Sequence, residues 1–138
     1  MQAKEALQNL ARRYTAAWCS QDAVSVAAFY SLNGRLSVND ASPAIGRDAI
    51  ATVAQGFMTA FPDMCVIMED LEFQAREDRA VYRWILTGTN SGPGGTGQQI
   101  HIRGFEEWEL DGDLLILNSK GRFDEAEYLH QLTYGLAG

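Results

Sequence analysis

Cysteine, histidine and basic residues are all scarce in this chain of 138 residues. Its two cysteines, Cys19 and Cys65, lie far apart and form no Cys-x-x-Cys pair. With only His101 and His130 beside them, they are too few for a zinc site of the usual Cys/His kind. The thiols read as two buried free cysteines, with a disulfide as the alternative. No metal and no cofactor is expected. Eleven Lys and Arg face eighteen Asp and Glu, giving a net charge of −7. Arg12 and Arg13 are adjacent, but no basic stripe follows, so a nucleic-acid partner is excluded and an anionic membrane surface would repel the chain. Long apolar runs are absent too, each being broken by charge or glycine, which excludes a membrane-spanning helix. The first residues, MQAKEALQNL, lack the apolar core of a signal peptide, so a cytoplasmic location is expected.

What is present is an ordinary hydrophobic fraction of 46%, enough for one domain over 1–138 with its own core. Leu7, Leu10, Tyr14 and Trp18 recur at helical spacing and predict a helix over about 4–19. Asp22 is placed to cap a second, short helix through Phe29, carrying Val24 and Ala28 inward. Residues 35–38 read as a short strand. A third helix follows Gly46, with Ile50, Val53, Phe57 and Phe61 on one face, and Pro62 ends it. Gly56 inside it implies a close packing contact.

The second half reads as strands over 64–73, 80–89, 99–110 and 113–120. Glu77-Asp78 makes one hairpin turn, and Asp111-Gly112 signals another with positive φ. Tyr82, Trp84 and Leu86 share one face of their strand. Alternation puts His101, Arg103, Phe105, Glu107 and Glu109 together on the next. The acidic residues Glu106, Glu107, Glu109, Asp111 and Asp113 read as a solvated edge and turn. A helix starts near Ala126. Helices followed by an antiparallel meander make an α+β fold whose sheet can curl around the helices and enclose a cavity. The loop Gly92–Gly97 lacks the ending of a phosphate cradle and reads as a pocket flap or an inert connection.

Four pieces along nearly the whole chain carry a resemblance. They are GRDAIATVAQGFMTAFPD, RWILTGTNSG, GGTGQQIHIRGFEEWELDGD and FDEAEYLHQL, in that order. They resemble the nuclear transport factor 2-like superfamily and, within it, the SnoaL-like polyketide cyclases. The resemblance implies a cone-shaped, curved, mostly antiparallel sheet wrapped around N-terminal helices, with a pocket at one end and a homodimer through the sheet. It also implies a general acid/base Asp near the end of the last strand, serving aldol ring closure. Asp124 matches that position by its spacing to Gln131-Leu132. The family's His after Gly-Thr is Asn90 here, and its Glu-x-Trp is Asn118-Ser119-Lys120. The Arg-x-Asp of limonene epoxide hydrolases is not matched, since Ile85 stands two residues after Arg83. Chemistry like that of ketosteroid isomerase needs an acid facing a phenol; Tyr14 is a candidate donor, with no matching second acid evident.

Asp124 therefore has two readings, a helix cap with Glu127 completing a capping box and a carboxyl acid/base in an apolar cone. Tyr14, Trp18, Phe57, Phe61 and Trp84 read as core or as pocket wall. Asn90 and Asn118 are amides that need partners. His101 reads as a sheet histidine or a ligand-orienting group, Arg83 as half of a surface ion pair, and Lys120 as a charge favouring an acidic or enolate-like ligand. The expected function is that of a small-molecule-binding protein, either a cyclase- or isomerase-like enzyme on an apolar carbonyl compound or a noncatalytic binding or dimerisation protein on the same fold.

Overall fold

The computed structural model describes residues 2–73 and 78–136. Helix α1 (Gln2–Cys19) buries Leu7, Leu10, Ala11, Tyr14 and Ala17, the three- and four-residue stripe of an amphipathic helix. Helix α2 (Ala23–Ala27) starts where Asp22 accepts the Ser25 N–H. That cap fixes the helix phase so that Ala23, Val26 and Ala27 face inward. Val24 and Ala28, expected inside, are exposed, Val24 by 71%.

Strand β1 (Tyr30–Val38) is longer than the expected 35–38, and β2 (Ala44–Ile45) pairs with its end. The extra length runs through a register shift between Tyr30 and Arg35. Gly34 sits in it, because a Cβ there would lie 2.9 Å from the Ile116 carbonyl oxygen. Helix α3 (Arg47–Ala60) ends before Pro62 as expected and fully buries Ile50, Ala54 and Met58. Gly56 meets nothing within 4 Å, so the close contact expected there does not exist.

Strands β3 (Cys65–Phe73), β4 (Arg79–Thr89), β5 (Gln99–Leu110) and β6 (Ile116–Phe123) form the expected antiparallel meander. The sheet has six strands in the order β2-β1-β6-β5-β4-β3, and β1 pairs with β6 in parallel. Further register shifts fall at Met68/Asp70 and Glu109/Leu110 and bend the strands. α1 packs against β3, and α4 (Glu125–Tyr134) against β5. The Gln131 side chain fastens α4 by accepting the His101 N–H at 2.7 Å and donating to the His101 carbonyl at 3.1 Å.

The β5–β6 connection differs from the two-residue turn expected at Asp111-Gly112. Asp111 Oδ1 accepts the N–H groups of Asp113 and Leu115, and the positive φ falls on Leu114. The longer loop moves the last strand three residues along, to Ile116–Phe123. Glu77 of the other expected turn lies outside the described residues. Cys19 and Cys65 are free and exposed, not buried as expected; the Cys19 thiol lies against the Val66 main chain. Among the described residues no helix is long and apolar enough to cross a membrane.

Trp84 and Gly104 face each other across β4 and β5. A Cβ on Gly104 would collide with the Trp84 ring and stand 2.6 Å from the Arg122 carbonyl oxygen. Gly104→Ala is therefore expected to cost about 1–3 kcal/mol of stability, read by urea denaturation; a neutral substitution would show that Trp84 moves aside freely.

Candidate functional site

On the inner face of the sheet, alternation brings Tyr82, Trp84 and Leu86 of β4 beside Ile102 and Glu106 of β5. Leu36 and Val38 of β1, Val66 of β3, and Gly121 and Phe123 of β6 extend the same wall. Trp18 of α1, Val53 and Phe57 of α3 and Tyr128 of α4 close over it. Together they line a cavity of about 70 Å³ whose surface is almost wholly apolar. Val53 and Phe57 are only half-buried, because the α3 stripe expected to be core faces this space.

Among the described residues the one carboxyl or basic side chain on the lining is Glu106, which is 7% exposed. Its Oε1 accepts three hydrogen bonds, from the Tyr14 hydroxyl at 2.9 Å, Trp108 Nε1 at 2.9 Å and the Ser119 hydroxyl at 2.6 Å. Tyr14 in turn meets the Tyr30 hydroxyl at 2.8 Å. Oε2 has no hydrogen-bond partner among the described residues. Burial pushes the Glu106 carboxyl above its ordinary range, and the three donors oppose that rise only in part. The phenols of Tyr14 and Tyr30 are pushed well up by burial and by the nearby Glu106 charge. Tyr82 is raised by burial, with its hydroxyl 2.5 Å from Thr15 Oγ1 and its ring stacked on Trp108 at 4.9 Å. The three donors converge on Oε1, which leaves Oε2 as the carboxyl oxygen free to bond a ligand.

The expected site residues divide sharply. Trp18, Phe57 and Trp84 line the cavity. Tyr14 lies behind it, holding Glu106, and Phe61 is fully buried core against Tyr128. Asn90 is spent on the loop after β4: Nδ2 donates to the Ala60 carbonyl and Oδ1 accepts the Thr96 N–H. The Gly92 N–H also bonds the Ala60 carbonyl, so the start of that loop is anchored to the end of α3. His101 is exposed on the outer face and engages Gln131 only through its main chain. Asn118 and Lys120 alternate with Ser119 and Gly121 and so point away from the cavity; Lys120 pairs across the sheet with Glu107. Arg83 is bonded on the surface to Glu72 at 2.8 Å and Asp70 at 3.2 Å.

Asp124 requires the main correction. It is exposed, absent from the cavity lining, and its Oδ1 accepts the Glu127 N–H at 3.0 Å as the cap of α4. The carboxyl inside the cone is Glu106, which the acidic run had disguised as solvated. Strand parity carried the signal: Glu106 is in phase with Ile102, Trp108 and Leu110, all buried. Among the described residues no three His, Cys, Asp or Glu side chains come together as a metal site.

The profile of the SnoaL-like polyketide cyclases matches residues 8–132. No curated protein sequence matches the chain. Among solved structures, the epoxide hydrolase/cyclase-like enzyme SalBIII of pyran ring formation in salinomycin superposes with a TM-score of 0.79 at 12% identity, covering 92% of this chain and 97% of its own. A putative polyketide cyclase from Xanthomonas campestris pv. campestris gives 0.77 at 19%, covering 95% and 99%. AclR, a putative hydroxylase from Streptomyces galilaeus, gives 0.76 at 22%, covering 93% and 81%. At such identities these likenesses show the fold, a cone of the nuclear transport factor 2-like kind.

The Glu106 environment has a signature in stability. Its folded pKa is raised, so the folded chain binds more protons than the unfolded chain between the ordinary value of 4.5 and the raised one. The Glu106 contribution is then greatest below the unfolded pKa and is lost as pH rises through that window. Wild-type stability minus that of Glu106→Gln is expected to fall as pH rises from about 4.5 and then level off, in urea denaturation across pH. A pH-independent difference would contradict the raised carboxyl.

Proposed function

Because the chain belongs to the SnoaL-like polyketide cyclase family, we propose that it is a cofactor-independent acid/base enzyme acting on a small apolar carbonyl compound, with Glu106 as the acid/base. One observation carries this reading. A buried carboxyl with a raised pKa stands on an apolar cavity wall, one oxygen held by three donors and the other unpartnered. A carboxyl held above its ordinary range is suited to proton transfer to carbon and oxygen. Protonated Glu106 donates from Oε2 to the carbonyl oxygen. The carboxylate so formed takes a proton from the neighbouring carbon, leaving the enol and restoring the acid. Return of a proton at another carbon completes an isomerisation; attack of the enol carbon on a second carbonyl closes a ring. Asp124 keeps the structural half of its expected role, the helix cap. The SalBIII likeness supports ring closure as the family of outcomes, since that neighbour is described as cyclase-like.

Cyclohexanone in D2O is a direct probe, with exchange of its α-protons followed by proton NMR. Wild type is expected to accelerate exchange, and Glu106→Gln to lose about 10²–10⁴-fold of that acceleration. Asp124→Asn should retain it, because Asn also caps helices well. Exchange undiminished in a folded Glu106→Gln, or lost in a folded Asp124→Asn, would overturn the assignment. Ligand retention without exchange in wild type would place the protein among noncatalytic binders.

The same reading includes a homodimer through the outer face of the sheet, where exposed Ile67 stands beside Ile85 and the ion-paired Arg83 and Arg103. It also includes a cytoplasmic location, in keeping with two exposed free thiols. Light scattering at micromolar concentration is expected to give twice 15.2 kDa; a strict monomer would remove the dimer.

A further inference from the structure

Among the described residues the cavity has one ionisable acid or base on its lining besides phenols, and it is an acid, Glu106. Among the described residues no Lys or Arg is on its lining, and Lys120, expected to favour an anionic ligand, points away. The donors nearest the carboxyl, from Tyr14, Trp108 and Ser119, are already spent on Glu106 Oε1. An organic carboxylate or a full enolate would find no counter-charge here and would face Glu106 itself.

The walls point the same way. Trp18 meets Phe57 edge-to-face at 6.3 Å, Trp84 meets Phe123 at 6.0 Å, and Phe123 meets Tyr128 at 5.3 Å. The wall they build is aromatic carbon, and the faces of such rings carry the negative side of the aromatic quadrupole. The indole Nε1 atoms of Trp18 and Trp84 are buried and have no hydrogen-bond partner among the described residues. Aromatic faces around one carboxylate are the recurrent solution for holding an organic cation.

We propose that the cavity is selective for positive charge, and that its ligand is a small organic cation: an alkylammonium, or a substrate that becomes cationic on taking a proton. The inference rests on the cavity being the ligand site of the function proposed above, and not on turnover. It replaces the enolate-like ligand suggested by Lys120 and makes proton donation to oxygen, with positive charge developing on the ligand, the step the walls favour.

A bound cation stabilises the Glu106 anion, so binding expels the Glu106 proton. Among the described residues the other titratable groups beside it or on the same lining are phenols: Tyr14 of α1, Tyr30 of β1 and Tyr82 of β4 near the carboxyl, and Tyr128 of α4 on the lining, all raised by burial. α3 and β6 contribute Val53, Phe57, Gly121 and Phe123 to the lining, none of which titrates. The released proton therefore reports Glu106.

The test uses three probes of nearly one shape: tetramethylammonium, tert-butanol and pivalate. Calorimetry in buffers of different ionisation enthalpy reads affinity and proton release together. Tetramethylammonium is expected to bind about tenfold or more tightly than tert-butanol, with proton release, and pivalate not at all. Glu106→Gln should remove both the preference and the release. If that variant does not fold, Trp84→Leu, which keeps the carboxyl, should weaken tetramethylammonium about fivefold more than tert-butanol. Equal binding of cation and alcohol, measurable pivalate binding, or no tetramethylammonium binding in wild type overturns the proposal. Cation binding without ketone exchange would sink only the enzymatic reading, and exchange without cation preference would sink only this one.

Discussion

Three hydrogen bonds to one oxygen of Glu106 tie the cone together. Trp108 lies on the same strand, Ser119 on β6 and Tyr14 on α1, while Tyr14 reaches on to Tyr30 of β1. A single carboxyl thus sets the distance between the first helix and three neighbouring strands. Such a group is costly to bury, and its cost is contained only when its partners are in place. Helix α1 cannot slide or rotate on the sheet without stripping Tyr14 from Glu106. The polar knot specifies one packing where an all-apolar interior would tolerate several.

The knot also divides the interior into two parts. On one side Tyr14, Tyr30, Tyr82 and Trp108 fill the cone, with Tyr14 meeting the other three rings at 5.2–6.2 Å. On the other side the rings stand apart and leave the cavity. Glu106 lies on the boundary, so its two oxygens do different work. Oε1 is structural and belongs to the packed side. Oε2 has no hydrogen-bond partner among the described residues, and Glu106 is on the cavity lining. The Gly104–Trp84 pair completes the arrangement, since the missing side chain on β5 admits the indole that walls the open side.

Much of the fold was legible in the sequence because its signals are local. α1, α3 and the four meander strands follow from spacing and from Pro62, and β5 has the expected bounds of Gln99–Leu110. The misses have non-local causes. β1 runs through Asn33-Gly34, which looks like a turn, and is held as a strand by its parallel neighbour β6. The start of β6 depends on an Asp111 side-chain bond that lengthens its turn. The exposed cysteines stand at the end of α1 and on the edge strand β3, where helical and strand phase no longer imply burial. Of the site, the aromatic walls Trp18, Phe57 and Trp84 were legible. Asn90, Asn118 and Lys120 were read from the resemblance and their polar chemistry, and His101 was placed on the Arg103 face with that face left open to solvent, a partner or a ligand; strand parity sends His101, Asn118 and Lys120 outward.

The contrast between Asp124 and Glu106 shows why a chemically attractive position in sequence differs from one in space. Asp124 ends a strand and begins a helix, so an amide reaches its carboxylate and water surrounds it. That carboxylate is committed to the helix entrance and stands outside the cavity, where no enclosed ligand meets it. Glu106 has donors too, but they converge on one oxygen, and the space beyond the other is apolar. Desolvation then outweighs the donors, and the raised pKa is the result. Capping and proton transfer therefore need not compete for one side chain. The chain keeps them on two carboxyls, one at the helix entrance and one at the centre of the sheet. A carboxyl in the middle of a strand, in phase with Ile, Trp and Leu, is the pattern that separates the second kind from the first.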